Sequence, residues 1–383
     1  MNLRSIVAVL TLFTASACFE PLEFADWSLP VPDGTPVFDY APVAAEEREG
    51  SIELVEDLVI GDKSDPNTSF YQIRSVAVDD EENIYVVEHG NHRIQVFGAD
   101  GTFLRSFGRQ GQGPGEFETP MSIVAMGRRL AVADISNAKI SVFSLDGTHQ
   151  ADFPLPPSSG LLAATPAGSI LGFTEAGGLL SQSWIPILFS ADGQELRRFA
   201  ELPLDRTPVM EFGGRRFYGS RVPRDRPGMA ASSSGILYVS PRDQYQVLSY
   251  AEAGDLRWAL RVAGAREPFD VSPELADEVV AAHREFFAEV TAANINWPEY
   301  KPIITGLAVD GHGHLFVSRY GYGLEAGDES PVDVYDADGA RLFAGFMVRP
   351  TWTAARGDFV YGIQNDPEGE QVVVRSRLVE PFD

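Results

Sequence analysis

The chain has 383 residues, with 55 Asp+Glu against 30 Lys+Arg, a formal charge of −25, one cysteine and a hydrophobic fraction of 44%. That fraction supports a sizeable core and excludes wholesale disorder, and one cysteine excludes an intrachain disulfide or a multi-thiolate metal site. The acid excess argues against nucleic acid as the main partner, because binding phosphates needs positive surface.

Residues 1–17 read as a secretory signal. Arg4 gives a positive start, Ile6 to Phe13 is a nearly unbroken apolar run, and Ala15, Ser16 and Ala17 are small. The run is too short for a permanent membrane span. Cys18 sits where the cut would fall, and Ala15-Ser16-Ala17-Cys18 resembles the lipobox of bacterial lipoproteins, with Ala where that family usually has Leu. The resemblance implies cleavage before Cys18 and lipidation there, hence a protein held at a membrane of the cell envelope, facing the periplasm or the exterior. Ordinary cleavage near Ala17, leaving a free protein, is the alternative. Residues 18–50 are rich in Pro and acid and sustain neither a helical nor a strand period. They read as a tether, or else as an arm laid over the body, for which Trp27, Phe38 and Tyr40 argue.

Residues 51–383 form the folded body, and the body repeats. An aromatic residue followed by Asp-Gly recurs at Phe97, Phe143 and Phe189, two equal intervals of 46 residues. It returns at Tyr250, where Ala replaces the Asp, and at Tyr335, after longer intervals that mark insertions. Asp-Gly between alternating apolar runs predicts a tight hairpin, because Gly supplies the positive φ of the turn. A second hairpin precedes it: Val76–Asp79 with Ile84–Val86 matches Leu307–Asp310 with Leu315–Val317 at a constant offset. Four short antiparallel strands every 40–50 residues or so is the pattern of a β-propeller blade. The motifs predict an all-β, six-bladed β-propeller. Its last blade lacks a strand, which Ser51–Ile60 supplies to close the ring. Asn83–Phe97 and Gly111–Phe117 resemble an NHL repeat, and Asp134–Phe143 does so more weakly. That resemblance implies an NHL-type ring and no single function, since such rings serve both as partner platforms and as enzymes.

The loops between second and third strands share one face with the blade-to-blade connections. That face receives Glu88, His89, Asp134, Arg242, Arg319 and both insertions. The first insertion, near Leu202 to Pro227, holds Arg215, Arg216, Arg221, Arg224 and Arg226. Guanidinium forks suit carboxylate or phosphate, so these side chains are candidates for an anionic ligand, or else pair with the chain's own acids. The second insertion, between blades four and five, predicts a short helix capped by Ser272-Pro273-Glu274, with Leu275, Val279, Phe286 and Val290 on one stripe and His283 on or beside it. Trp297 follows as a candidate for lining the mouth.

No nucleophile elbow, phosphate loop or metalloprotease motif is present. The repeating Asp79, Asp100, Asp146, Asp192, Asp310 and Asp338 read as turn formers. The strand starts that would line the channel, from Arg74–Ser75 and Met121–Ser122 round to Thr353–Ala354, make a largely neutral ring with no evident set of oxygen ligands. The expectation is a lipid-anchored binding module without a cofactor, recognising an envelope protein or a small ligand on its insertion-bearing face. Its rival is a propeller hydrolase or lyase using calcium or zinc at the same mouth.

Overall fold

The computed structural model describes residues 29–44, 47–177, 182–204, 210–212, 215–217, 228–241, 244–264, 268–284, 289–297, 303–319, 329–348 and 352–379. They form six antiparallel blades around one axis. Blade one comprises Ile73–Val78, Ile84–Glu88, Arg93–Phe97 and Phe103–Phe107. Blade two runs from Pro120–Met126 to His149–Pro154 and blade three from Gly160–Ala164 to Glu195–Arg198. Blade four runs from Gly228–Ala231 to Leu256–Val262 and blade five from Ile304–Val309 to Arg341–Val348. Blade six has only Trp352–Arg356, Phe359–Asn365 and Gln371–Val379 of its own. Its fourth strand is Ser51–Ile60, antiparallel to Gln371–Val379 with Ile60 opposite Val373, so the expected ring closure is what forms.

Each pair of neighbouring blades encloses its own apolar cluster. Tyr85, Val96, Phe117 and Leu130 fill the one between blades one and two, and Ile60, Val76, Phe97 and Tyr361 fill the one between six and one. Middle strands are covered on both sides, which is why Ile84–Glu88 is buried throughout. Outer strands such as Phe103–Phe107 alternate, with one face to solvent.

The repeating glycine has two duties. Gly101, Gly147, Gly193, Gly254 and Gly339 all have φ between 76° and 92°. Each also abuts the outer strand of the preceding blade, so an added Cβ would lie 2.7 Å from Phe107 at Gly147 and 2.3 Å from Phe153 at Gly193. Gly147→Ala is therefore expected to cost about 2–4 kcal/mol, combining φ strain with overpacking. Gly127→Ala, also at positive φ but with nothing within 4 Å, should cost only about 1 kcal/mol. Urea midpoints of the two variants test this; equal losses would refute the close-packing role.

The turn acids serve as expected, with one correction. Asp79 accepts from the amides of Glu81 and Asn83 and from the Tyr85 hydroxyl, and Asp310 from the amides of His312 and His314. In blade five, however, Asp336 rather than Asp338 receives the turn amides, and Asp338 pairs with Arg257.

Residues 29–44 and 47–50 correct the tether expectation. Leu29 is 4% exposed within the cluster between blades three and four. Val37–Tyr40 adds a parallel strand to the outer edge of blade four, and Phe38 packs edge-on against Trp258. The Tyr40 hydroxyl donates to the Gly339 carbonyl, and the Glu49 amide to Ala344 of blade five. A four-residue strand carries too little periodicity to be read; the open edge of blade four dictates it. Arg48 enters blade five, where its Nη1 donates to Asp333 Oδ1 at 3.1 Å and to the carbonyls of Val332 and Gly345, with both charged side chains 2% exposed. Residues 29–60 thus strap three blade boundaries.

The helix Pro273–Arg284 lies between blades four and five as expected, with the Leu275 amide capped by Ser272 Oγ. Leu275, Val279 and Val290 are buried. Phe286 lies outside the described residues, as does the side chain of His283.

Candidate functional site

The last residue of each second strand opens onto the insertion-bearing face. Register places Glu88 opposite Ile73, Asp134 opposite Pro120 and Arg319 opposite Ile304. Glu88 and Asp134 are completely buried. Glu88 accepts from the Tyr71 amide, Asn91 Nδ2 and Arg93 Nε. Asp134 accepts from the amides of Glu118 and Thr119 at 2.7 and 2.9 Å, and from the amide and side chain of Asn137. Both carboxylates clamp a blade connection to the following loop. This corrects their candidacy as ligand contacts: their oxygens are spent on internal donors, and charge-assisted bonds of this kind compensate burial. The Asn that follows each acid, Asn91 or Asn137, donates to it in both blades; the base does so only in blade one, because Lys139 donates to the Gly113 carbonyl and pairs with Asp152.

His89 sits beside His92, ring centroids 6.1 Å apart, and the Nδ1 atoms of both are buried with no hydrogen-bond partner among the described residues. Burial pushes the His89 imidazole below its ordinary pKa; the charges of Arg74 and His92 push the same way, against Asp134. His89 is therefore neutral at pH 7 and faces Arg74.

Arg74 stands on the inner strand of blade one. Five of the six inner strands carry a register shift near the insertion-bearing face, with one extra residue each: Arg74, Met121, Leu162, Thr305 and Thr353. Bulges of this kind re-aim side chains. The Ser75 and Ser122 hydroxyls turn to the next blade, accepting from the amides of Ile123 and Leu161, and so stitch neighbouring inner strands together. Arg74 is exposed between buried Ile73 and Ser75, and among the described residues it has no ion pair or hydrogen bond. In blade four the pairing is regular, with no extra residue; Met229 stands opposite Val239 and packs in part against the cluster between blades three and four. The neutral ring read from sequence thus has one cation, legible as Arg74 only once the bulge is known.

Arg319 has no ion pair among the described residues; its guanidinium lies 5.6 Å from the Tyr245 ring centroid. Tyr245 donates to Asp333 at 2.6 Å, and burial together with that carboxylate raises the phenol pKa well above its ordinary value. Trp297 does not stand free at the mouth. It stacks on Phe269 at 6.5 Å and donates from Nε1 to the Ala292 carbonyl, and so belongs to the helix cluster. Arg215 and Arg216 lie in a strand, Arg215–Phe217, that forms a hairpin with Met210–Phe212; their side chains, and all of Arg221 and Arg242, lie outside the described residues. Cys18 and the signal do also.

Among the described residues no three His, Cys, Asp or Glu side chains converge to hold a metal ion, and no helix is long and apolar enough to cross a membrane. An open groove of about 510 Å³, lined by Ser169, Leu188, Leu196, Arg197, Glu252 and Ala253, lies at the opposite, plain face between blades three and four. It is remote from every candidate above.

A family model described as a 6-bladed beta-propeller, DUF5128, matches residues 66–173. No curated protein matches the chain. Among solved structures, a Bacteroides fragilis protein named as a candidate exported protein is 11% identical, with 90% of this chain and 99% of that one covered at a TM-score of 0.52. Virginiamycin B lyase from Staphylococcus aureus is 14% identical over 85% of this chain and 99% of its own, TM-score 0.42. A gluconolactonase from Xanthomonas campestris is 15% identical over 94% and 99%, TM-score 0.42. At such identities the likeness is one of fold alone.

Proposed function

We propose that this protein is a lipid-anchored, exported β-propeller that binds a ligand on its insertion-bearing face. One observation carries the binding reading. Glu88 and Asp134, the fully buried second-strand carboxylates on that face, are consumed by internal hydrogen bonds, whereas the cations there, Arg74 and Arg319, have no acid partner among the described residues. In a chain of net charge −25, cations left unpaired beside acids that are fully engaged favour recognition of an anion over carboxylate acid–base chemistry or cation ligation. The lipoprotein-like Ala15-Ser16-Ala17-Cys18 supports the anchor.

The test has two arms. Wild type is expected in the membrane fraction and Cys18→Ser in the soluble fraction; a soluble wild type overturns the anchor. Hydroxyl-radical footprinting in envelope extract should protect Tyr71 and Ile135, which are 58% and 40% exposed near the mouth, but not plain-face Leu196 at 55%. Protection confined to Leu196, or metal-dependent turnover of a lactone, would replace the binding reading.

A further inference from the structure

The mouth of the ring is two-sided. Blades two, three and four contribute Met121, Leu162 and Met229, all half-exposed, on consecutive inner strands. Blades five, six and one contribute Thr305, Thr353 and Arg74, with Thr353 and Arg74 exposed. An apolar arc therefore faces a polar arc that holds a single guanidinium and two hydroxyls. Next to that guanidinium lies His89, and the buried Nδ1 atoms of His89 and His92 mark polar capacity that the described residues leave unused.

We propose that this mouth binds a small monocarboxylate with an apolar body, its carboxylate paired with Arg74 and its body against Met121, Leu162 and Met229. One guanidinium matches one carboxylate through two parallel hydrogen bonds. A phosphate, with more charge and more oxygens, calls for further cations, and Arg74 is the one cation that the inner strands bring to this mouth among the described residues. The apolar arc fits the usual composition of a small-molecule site, mostly hydrophobic with a few placed polar groups.

This inference rests on the binding reading above, and the experiment separates the two. Octanoate, 1-octanol and acetate are titrated calorimetrically into the purified full-length chain at pH 7.5. Octanoate is expected to bind about tenfold or more tightly than either 1-octanol, which lacks the charge, or acetate, which lacks the body. Arg74→Gln should remove that advantage over octanol, and plain-face Arg197→Gln should leave it. Equal affinity for octanoate and octanol in wild type, a result needing no variant, overturns the proposal, as does octanoate binding indifferent to Arg74→Gln. If octanoate fails while Tyr71 and Ile135 remain protected in extract, the carboxylate assignment falls and the binding module stands.

Discussion

Arg48→Met is expected to destabilise the ring by about 3–5 kcal/mol, the cost of stranding a buried charge. Asp333 is 2% exposed inside blade five, and Arg48 supplies its only cation among the described residues. The Tyr245 hydroxyl at 2.6 Å also donates to it, and Tyr335 lies 3.1 Å from that hydroxyl, so the carboxylate anchors a buried polar chain. Without Arg48, one hydrogen bond from a phenol remains to compensate a desolvated anion. The measurement is the urea midpoint. The double variant Arg48→Met, Asp333→Leu should recover much of the loss, because removing both charges leaves neither stranded. A single variant within 1 kcal/mol of wild type would show that the pair contributes little.

A chain beginning at residue 62 is expected not to form a stable ring. The removed segment carries Leu29, Ile52 and Ile60, each no more than 4% exposed, and burial of such side chains contributes about 1.5–3 kcal/mol apiece. Their sum, about 4.5–9 kcal/mol, is comparable to the margin of a modestly stable domain, roughly 5–15 kcal/mol. Removal also bares Gln371–Val379 as an unpaired edge. The shortened chain should bind a hydrophobic dye and lose its cooperative melt. A peptide of residues 29–60 added in trans should restore that melt; a cooperative melt without the peptide would show that the strap is dispensable.

The blade count was legible because the Asp-Gly turn combines two demands that only glycine meets, positive φ and contact with the neighbouring blade at Gly147 and Gly193. The closing strand was legible because Ser51–Ile60 alternates ahead of blade one without a hairpin partner of its own. The strap was not, since Val37–Tyr40 is an edge strand whose pairing exists only once blade four is built. Nor was the Arg48–Asp333 pair, whose partners lie 285 residues apart. Glu88 and Asp134 were placed on the correct face, but sequence position does not show which donors surround a carboxylate. Arg74 stood in plain view among the inner strand starts, and the register shift that singles it out belongs to the pairing rather than to the residue.

The closing pair joins Glu53–Ile60 to Val373–Val379, strands far apart in the chain. Ser51–Ile60 is synthesised well before Gln371–Val379, so its antiparallel pairing waits until that strand has emerged. Contacts of such separation form slowly, because a loop spanning nearly the whole chain must be closed before they form. Translation order thus delays closure: the unfinished chain can build blades but cannot lock them into a circle. A segment threaded through a membrane before that last strand arrives would travel as an open, unclosed polypeptide, and the ring would be completed on the far side.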